Sequence, residues 1–286
     1  MTDHNLVDLH LHTTASDGTD APAEVVRKAR DLGLRVIAIT DHDSTEGVAE
    51  AVASARGTDL EVIPGIEIST DVPLGEIHIL GYFVDVADGE LQNMLHLLRE
   101  SRHGRARRMV DKLRDLGMDI DWERVKAFAG EGAVGRPHVA RAMVEKGYVS
   151  TTAEAFDRYI GRNGPAYVER YKLTPPEAVQ LVLGAKGLPG LAHPVIAGAA
   201  EPLGDSPDLE PLLAELSQAG LVAMECYYTG YTDDITADLL EKARRYNLVP
   251  TGGSDYHGAN LVGPTLGGVH VPLSSVEALR ERLREK

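Results

Sequence analysis

A chain of 286 residues, 43% hydrophobic and 26% charged, can bury a core without disulfides or a structural metal, which excludes disordered and collagen-like classes. Its 29 Lys and Arg against 44 Asp and Glu give a net charge of -15 and exclude broad nonspecific binding to duplex DNA, which needs a cationic footprint. No apolar run reaches the roughly 18 residues of a membrane span. The single Cys226, with Asp3, His4 and Asp8 where a secretory leader needs an apolar core, points to a reducing cytoplasm.

Short apolar, β-branched runs alternate with amphipathic helical patterns, the signature of βαβ units around a parallel sheet. The first strand is expected at Leu6 to His12, followed by a helix that opens at Asp20 and Pro22, carries Val25, Val26 and Ala29, and stops at Gly33. A strand at Val36 to Thr40 leads to a helix between Ser44 and Gly57, then strands at Leu60 to Ile68 and Glu76 to Val84. The next strand begins only near Leu188, a gap far beyond an ordinary crossover, which implies an inserted helical subdomain. Its helices are expected at Asp88 to Gly117, Trp122 to Ala129, Pro137 to Lys146 and Ala153 to Ile160. Beyond it come a helix at Thr174 to Gly187 and strands at Leu188 to Pro194, Leu221 to Tyr227 and Leu248 to Gly252, with helices at Leu209 to Gly220, Asp233 to Asn247 and Ser274 to Glu285. The expected organisation is a barrel of residues 1–86 and 170–286 with a substrate-capping insertion at 87–169, since such insertions shape access to a site.

Period-two alternation in Asp8-Leu9-His10-Leu11-His12 sends Asp8, His10 and His12 to one face. An HxH pair alone is a weak signal, because ligand-free surface histidines are common. Further polar groups stand at the ends of other apolar runs: Asp41 and His42, Glu67, His193, and Asp255 with His257. In a parallel barrel those ends share the face where active sites occur. His78 interrupts an apolar strand and, taken singly, reads as a hydrogen-bonded core histidine. Taken together, these imidazoles and the carboxylates Asp17, Glu67 and Asp255 would incur a desolvation and repulsion cost of several kcal/mol per unpaired charge unless cations join them. Imidazole with carboxylate suits Zn, Mn or Fe better than Ca, and a lone cysteine argues against a thiolate site.

The ordered segments DLHLHTTASDGT, AITDHD, PGIEIS, HILGY, AHP and GGSDYH resemble the PHP superfamily, named for its polymerase-associated and histidinol-phosphatase members. The resemblance implies an α/β fold, a distorted (β/α)7 TIM-like barrel, holding two or three divalent metal ions. It assigns His10, His12, Glu67 and Asp255 to a first metal. The second shares Glu67 with His78 and His193, and the third takes Asp17, His42 and His257. Asp8 and Asp41 read as groups that orient ligand imidazoles. A hydroxide bridging the first two metals is the expected nucleophile, with Asp255 catalytic as well as ligating.

The segments LLRESRHGRARRMV, GRPHVAR and GPAYV carry a further likeness to small phosphoesterases acting on nucleoside 3′,5′-bisphosphates or on the 5′ end of short RNA. That likeness implies a phosphorylated nucleotide or short single-stranded RNA as partner and hydrolysis of a 3′-linked phosphate. His138 is the candidate general acid and Arg136 a phosphate clamp; alternatively, Pro137 simply starts a helix and His138 faces solvent. Between Arg99 and Arg114 seven basic residues stand against two acidic ones, and there either Arg102 and Arg105 bind a second phosphate or Arg99, Arg102 and Arg105 form a solvated helix face. The competing readings are a histidinol-phosphate phosphatase and a noncatalytic metal-binding scaffold. Metal identity, substrate length and oligomeric state stay open at this level.

Overall fold

Alternating apolar residues build β1 (Val7–Leu11), and a continuous apolar run, VIAI, buried at every position, builds β2 (Val36–Ile39). They are followed by β3 (Glu61–Val72), β4 (Gly75–Tyr82), β5 (Leu188–Leu191), β6 (Ala223–Tyr228) and β7 (Val249–Gly253). A computed structural model describes residues 6–72, 75–130, 134–169, 171–195, 209–258 and 264–286; Asp3 and His4 lie outside this range. The seven strands form one sheet in sequence order, β1 to β7. The sheet curls until its edges meet: Leu11 bridges Tyr256 in parallel, His12 N–H donates to Tyr256 O (2.9 Å), and Asp255 N–H donates to His10 O (3.0 Å). The result is a nearly closed α/β barrel.

One strand departs from the expected parallel sheet. β4 runs antiparallel to both β3 and β5, while the other neighbours pair in parallel. Only two residues separate Val72 from Gly75, and a parallel crossover needs a dozen or so, so the chain must turn back on itself. The reversal decides where His78 lies. It comes from the first half of its strand, opposite Ser69, whereas His10 lies within β1, Glu67 within β3, and His42, His193, Asp255 and His257 follow the ends of parallel strands.

Chain contacts divide the molecule into two compact units, residues 1–93 with 172–286, and residues 94–171. In the first, α1 (Pro22–Asp31) and α2 (Val48–Ala55) lay Val25, Val26, Ala29, Val48 and Ala51 against Leu11, Ile37 and Ile39. The unit's later helices are α7 (Pro175–Gly184), α8 (Leu209–Gln218), α9 (Asp233–Arg245) and α10 (Leu273–Arg284). α10 sets Val276 and Leu279 into a cluster with Val7, Leu9 and Val249. Burial of each large aliphatic side chain contributes about 1.5–3 kcal/mol. α7 opens with a reciprocal cap, Thr174 N–H donating to Glu177 Oε2 (2.7 Å) and Glu177 N–H to Thr174 Oγ1 (3.4 Å), followed by Pro175.

The helix α3 (Gly89–Asp115) starts in the first unit and runs into the second, which adds α4 (Trp122–Ala129), α5 (Arg136–Glu145), α6 (Thr152–Ala155) and a π-helical turn at Phe156–Ile160. Met109, Val110 and Leu113 pack with Val125, Val139, Met143 and Ile160, so the second unit has its own core. Among the described residues, no helix is long and apolar enough to cross a membrane.

Closure of the barrel depends on Gly253 in β7. A Cβ there would stand 2.5 Å from both the backbone N and the Cβ of His10, and 2.9 Å from Asp8 Oδ1. Gly253→Ala is therefore expected to cost about 1–3 kcal/mol in urea denaturation through overpacking. Unchanged stability would show that β1 and β7 can separate freely.

Candidate metal centre

Each element delivers its side chain to one mouth of the barrel. β1 supplies His10 and the residue after it supplies His12, whose Nε2 atoms lie 3.1 Å apart. The backbone after β2 continues the parallel pairing, so His42 bridges Glu67 on β3. His78 comes from the reversed β4, His193 from the turn after β5, and Asp255 and His257 from the turn after β7. His193 (φ 22°) and Asp255 (φ 57°) both hold left-handed backbone conformations, the kind of local strain that a surrounding structure retains at functional sites.

Three overlapping groups of ligand atoms result. His10, His12, Glu67 and Asp255 form one, His42, Glu67 and His78 a second, and His12, Asp17, His42 and His257 a third, with the atoms of each group within 4.8 Å of one another. In the first group, Glu67 Oε2 lies 3.3 Å from His10 Nε2 and 3.2 Å from His12 Nε2, and Asp255 Oδ1 lies 3.3 and 3.1 Å from the same nitrogens. Atoms bonded at about 2.1 Å to one tetrahedral ion stand about 3.4 Å apart, so these spacings suit a shared cation.

Glu67 divides its oxygens between two sides. Oε2 faces His10, His12 and, at 3.0 Å, His42 Nδ1; Oε1 faces His78 Nδ1 at 2.8 Å and His193 Nε2 at 3.1 Å. His193, assigned with His78 by sequence, thus meets the same oxygen of Glu67 as His78. His12 lies closer to the Asp17 group than the sequence suggested, with Nδ1 3.8 Å from Asp17 Oδ1. His257 Nε2 approaches that oxygen at 3.3 Å.

Hydrogen bonding specifies which nitrogens face the mouth. A carboxylate only accepts, so His10 Nδ1 donates to Glu225, 3.1 Å from each of its oxygens, and in the neutral ring the lone pair falls on Nε2, which faces Glu67 and Asp255. His257 Nδ1 likewise donates to Asp255 O (2.9 Å), freeing Nε2. Tyr228 Oη donates to Asp255 Oδ2 (2.7 Å), leaving Oδ1 for the cluster.

Electrostatics tells the same story. Burial would lower the His12 pKa, but Asp255 and Glu67 raise it to about 10. Burial likewise opposes protonation of His10, yet Glu225, Glu67 and Asp255 hold its pKa well above the usual imidazole range. Burial dominates at His42 and lowers it to about 3. Burial would raise the Asp255 carboxyl, but His10 and His12 hold it well below the usual range. His12 Nδ1, His42 Nδ1 and Glu67 Oε2 are buried and make no hydrogen bond. A divalent cation satisfies such orphaned donor atoms, and this imidazole and carboxylate set fits one.

Two expectations are corrected. Asp8 and Asp41 hold backbone and hydroxyl groups, not imidazoles. Asp8 accepts from Ser254 N and Oγ (2.9 and 2.7 Å) and Gly267 N (2.9 Å), and Asp41 from Thr13 N and Oγ1 (2.7 and 2.8 Å) and Ser16 Oγ (2.7 Å). Their short side chains satisfy nearby loop donors before they can reach a ring. The imidazole-orienting carboxylate is Glu225, which the sequence reading passed over. Its only signal is an acid between Met224 and Cys226 in an apolar strand.

The remaining candidates lie in the second unit. His138 is buried, not solvent-facing, and its Nδ1 accepts from Gly135 N–H (3.0 Å) at the start of α5. Arg102 and Arg105 are buried on the α3 face that carries Leu98 and Met109, so they are not a solvated face. The Arg136 guanidinium lies over the Phe156 ring at 5.3 Å.

A barrel whose mouth collects imidazoles and carboxylates at ligand spacing defines a metal-dependent hydrolase scaffold. The PHP domain pattern matches residues 8–123. The chain is 34% identical over 250 residues to a 5′-3′ exoribonuclease of Haemophilus influenzae, covering 87% of this chain and 89% of that one. It is 30% identical over 262 residues to a 3′,5′-nucleoside bisphosphate phosphatase of Chromobacterium violaceum, covering 91% and 90%. A crystal structure from Bifidobacterium adolescentis, provisionally named a metal-dependent phosphoesterase, superposes with a TM-score of 0.85 at 31% identity, covering 96% of both chains. The chain belongs to the PHP family. It is a metal-dependent phosphoric ester hydrolase.

The raised imidazoles make stability depend on pH when metal is removed. A His12 pKa of about 10 against 6.5 in the unfolded chain stabilises the fold fully below pH 6.5, and the contribution is lost as pH rises through 10. Chelator-treated protein should therefore weaken steadily in urea titrations from pH 6.5 to 10, and metal affinity should rise over the same window as metal displaces protons. Constant stability across that window would contradict the protonated cluster.

Proposed function

We propose that the chain hydrolyses the 3′-phosphate of nucleoside 3′,5′-bisphosphates and trims short 5′-phosphorylated RNA. The observation that carries the metal part of this reading is the split of Glu67, one oxygen toward His10 and His12 and the other toward His78 and His193. That split suits a carboxylate joining two cations, one held with His10, His12 and Asp255 and the other with His78 and His193. Asp17, His42 and His257 would hold a third. Bound divalent cations, of Mn, Fe or Zn type, would supply Lewis acidity and lower the pKa of water toward about 7.

The chain's own groups complete the chemistry. Glu225 and the Asp255 carbonyl keep His10 and His257 in the tautomers that offer Nε2. Because His138 Nδ1 accepts from a backbone amide, its neutral ring carries the proton on Nε2, the form needed to protonate a leaving oxygen. Phe156 supports the plane of Arg136 for a phosphate, and Arg102 and Arg105, spaced i and i+3 on one helix face, suit a 5′-phosphate dianion. Residues 94–171 hold 15 of the 29 Lys and Arg but only 11 of the 44 Asp and Glu, so the insertion is cationic within an anionic chain and fits a polyanionic substrate. We assign residues 87–169 the role of substrate cap. The Chromobacterium and Haemophilus relatives, named for a bisphosphate and for RNA, agree with this substrate class.

Turnover of adenosine 3′,5′-bisphosphate, short 5′-phosphorylated RNA, histidinol phosphate and a cyclic phosphodiester tests the reading. The first two should be hydrolysed, and Arg102→Ala with Arg105→Ala should raise their KM about tenfold or more, leaving substrates without a 5′-phosphate little affected. Rapid turnover of histidinol phosphate alone would overturn the assignment, and metal-loaded protein inert to all four would favour a scaffold.

A further inference from the structure

Glu225 has no place in the three ligand groups, yet it is completely buried beside them. A buried carboxylate costs several kcal/mol unless hydrogen bonds compensate it. Here the compensation comes from two different strand ends. His10 Nδ1 donates to it from β1, 3.1 Å from both oxygens, and the backbone N–H of His193 donates to Oε2 at 2.7 Å from the turn after β5. Among the described residues no Lys or Arg forms an ion pair with it, so these donors define its surroundings.

We infer that Glu225 is a positioning residue that sets the metal-binding geometry of both sides of Glu67 at once. On one side it keeps the His10 proton on Nδ1 and the Nε2 lone pair aimed at Glu67 Oε2 and Asp255 Oδ1. On the other it holds the left-handed backbone of His193, whose ring Nε2 meets Glu67 Oε1 at 3.1 Å. A single carboxylate thereby couples the two proposed cation positions. The inference rests on the metal reading of the cluster.

Glu225→Gln tests it, because the amide has nearly the same shape but replaces one acceptor with a donor. Facing His10, that NH2 would favour a proton on Nε2; facing His193, it would meet another N–H. Zn²⁺ and Mn²⁺ affinities, measured by chelator competition, are expected to fall about 10- to 100-fold. Glu225→Asp keeps the charge but withdraws the oxygens by one methylene, so a positioning role predicts a loss there too, whereas a purely electrostatic role predicts near wild-type affinity. In zinc-loaded, ¹⁵N-histidine-labelled wild type, the His10 Nδ1 proton should show the downfield shift of a bond to carboxylate; a zinc-loaded His10 protonated on Nε2 would overturn the proposal even if the variants failed to fold. Wild-type metal affinity in both variants would also overturn it. If the wild type bound no metal, the metal reading itself would fail, and a metal-free Glu225→Asp crystal structure would still decide: with the carboxylate withdrawn, the His10 ring or the His193 turn should move to follow it, and both unmoved would contradict the role.

Discussion

Glu67 is a fully buried carboxylate with five imidazoles around it, His10, His12, His42, His78 and His193, at 2.8 to 3.3 Å. So many ring nitrogens around one acid do not all find hydrogen bonds: Glu67 Oε2 and the His42 Nδ1 beside it are buried without one. Protons relieve the crowding in part, as the raised pKa of His12 shows, and divalent cations relieve it more completely. The fold's departures from regularity serve this convergence.

The reversed β4 is one such departure. A parallel strand after β3 would need a helix to return, and its far end would supply the ligand; the tight hairpin lets His78 reach Glu67 from the opposite strand direction. The barrel seam is another. Gly253 permits the backbone contact that closes β1 on β7, and Asp8 fastens the same seam by accepting from Ser254 and Gly267. Burial raises the Asp8 pKa to about 6 despite those bonds, so this fastening has an electrostatic cost that the closure offsets.

Much of the barrel was legible because its signals are periodic and local. The alternation of Asp8, His10 and His12 placed them on one face, and the apolar runs located all seven strands. The direction of β4 was also readable, because residues 69–75, left between the strands expected at Leu60 to Ile68 and Glu76 to Val84, are too few for a parallel crossover, but apolar periodicity itself carries no direction. Arg102 and Arg105 were left between a phosphate site and a solvated helix face because charge was counted along the chain. Their spacing from Leu95 and Leu98 already put them in phase with the buried side of α3. Glu225 carries no such periodic mark: one acid in an apolar strand gains meaning only when His10 and His193, 215 and 32 residues away, arrive beside it.

The most direct measurement is anomalous diffraction from crystals of active enzyme, collected on either side of the Mn, Fe and Zn absorption edges. The account predicts peaks on both sides of the Glu67 carboxylate, one bonded to His10, His12 and Asp255 and the other to His78 and His193. Active crystals with no anomalous scatterer at Glu67 would contradict it.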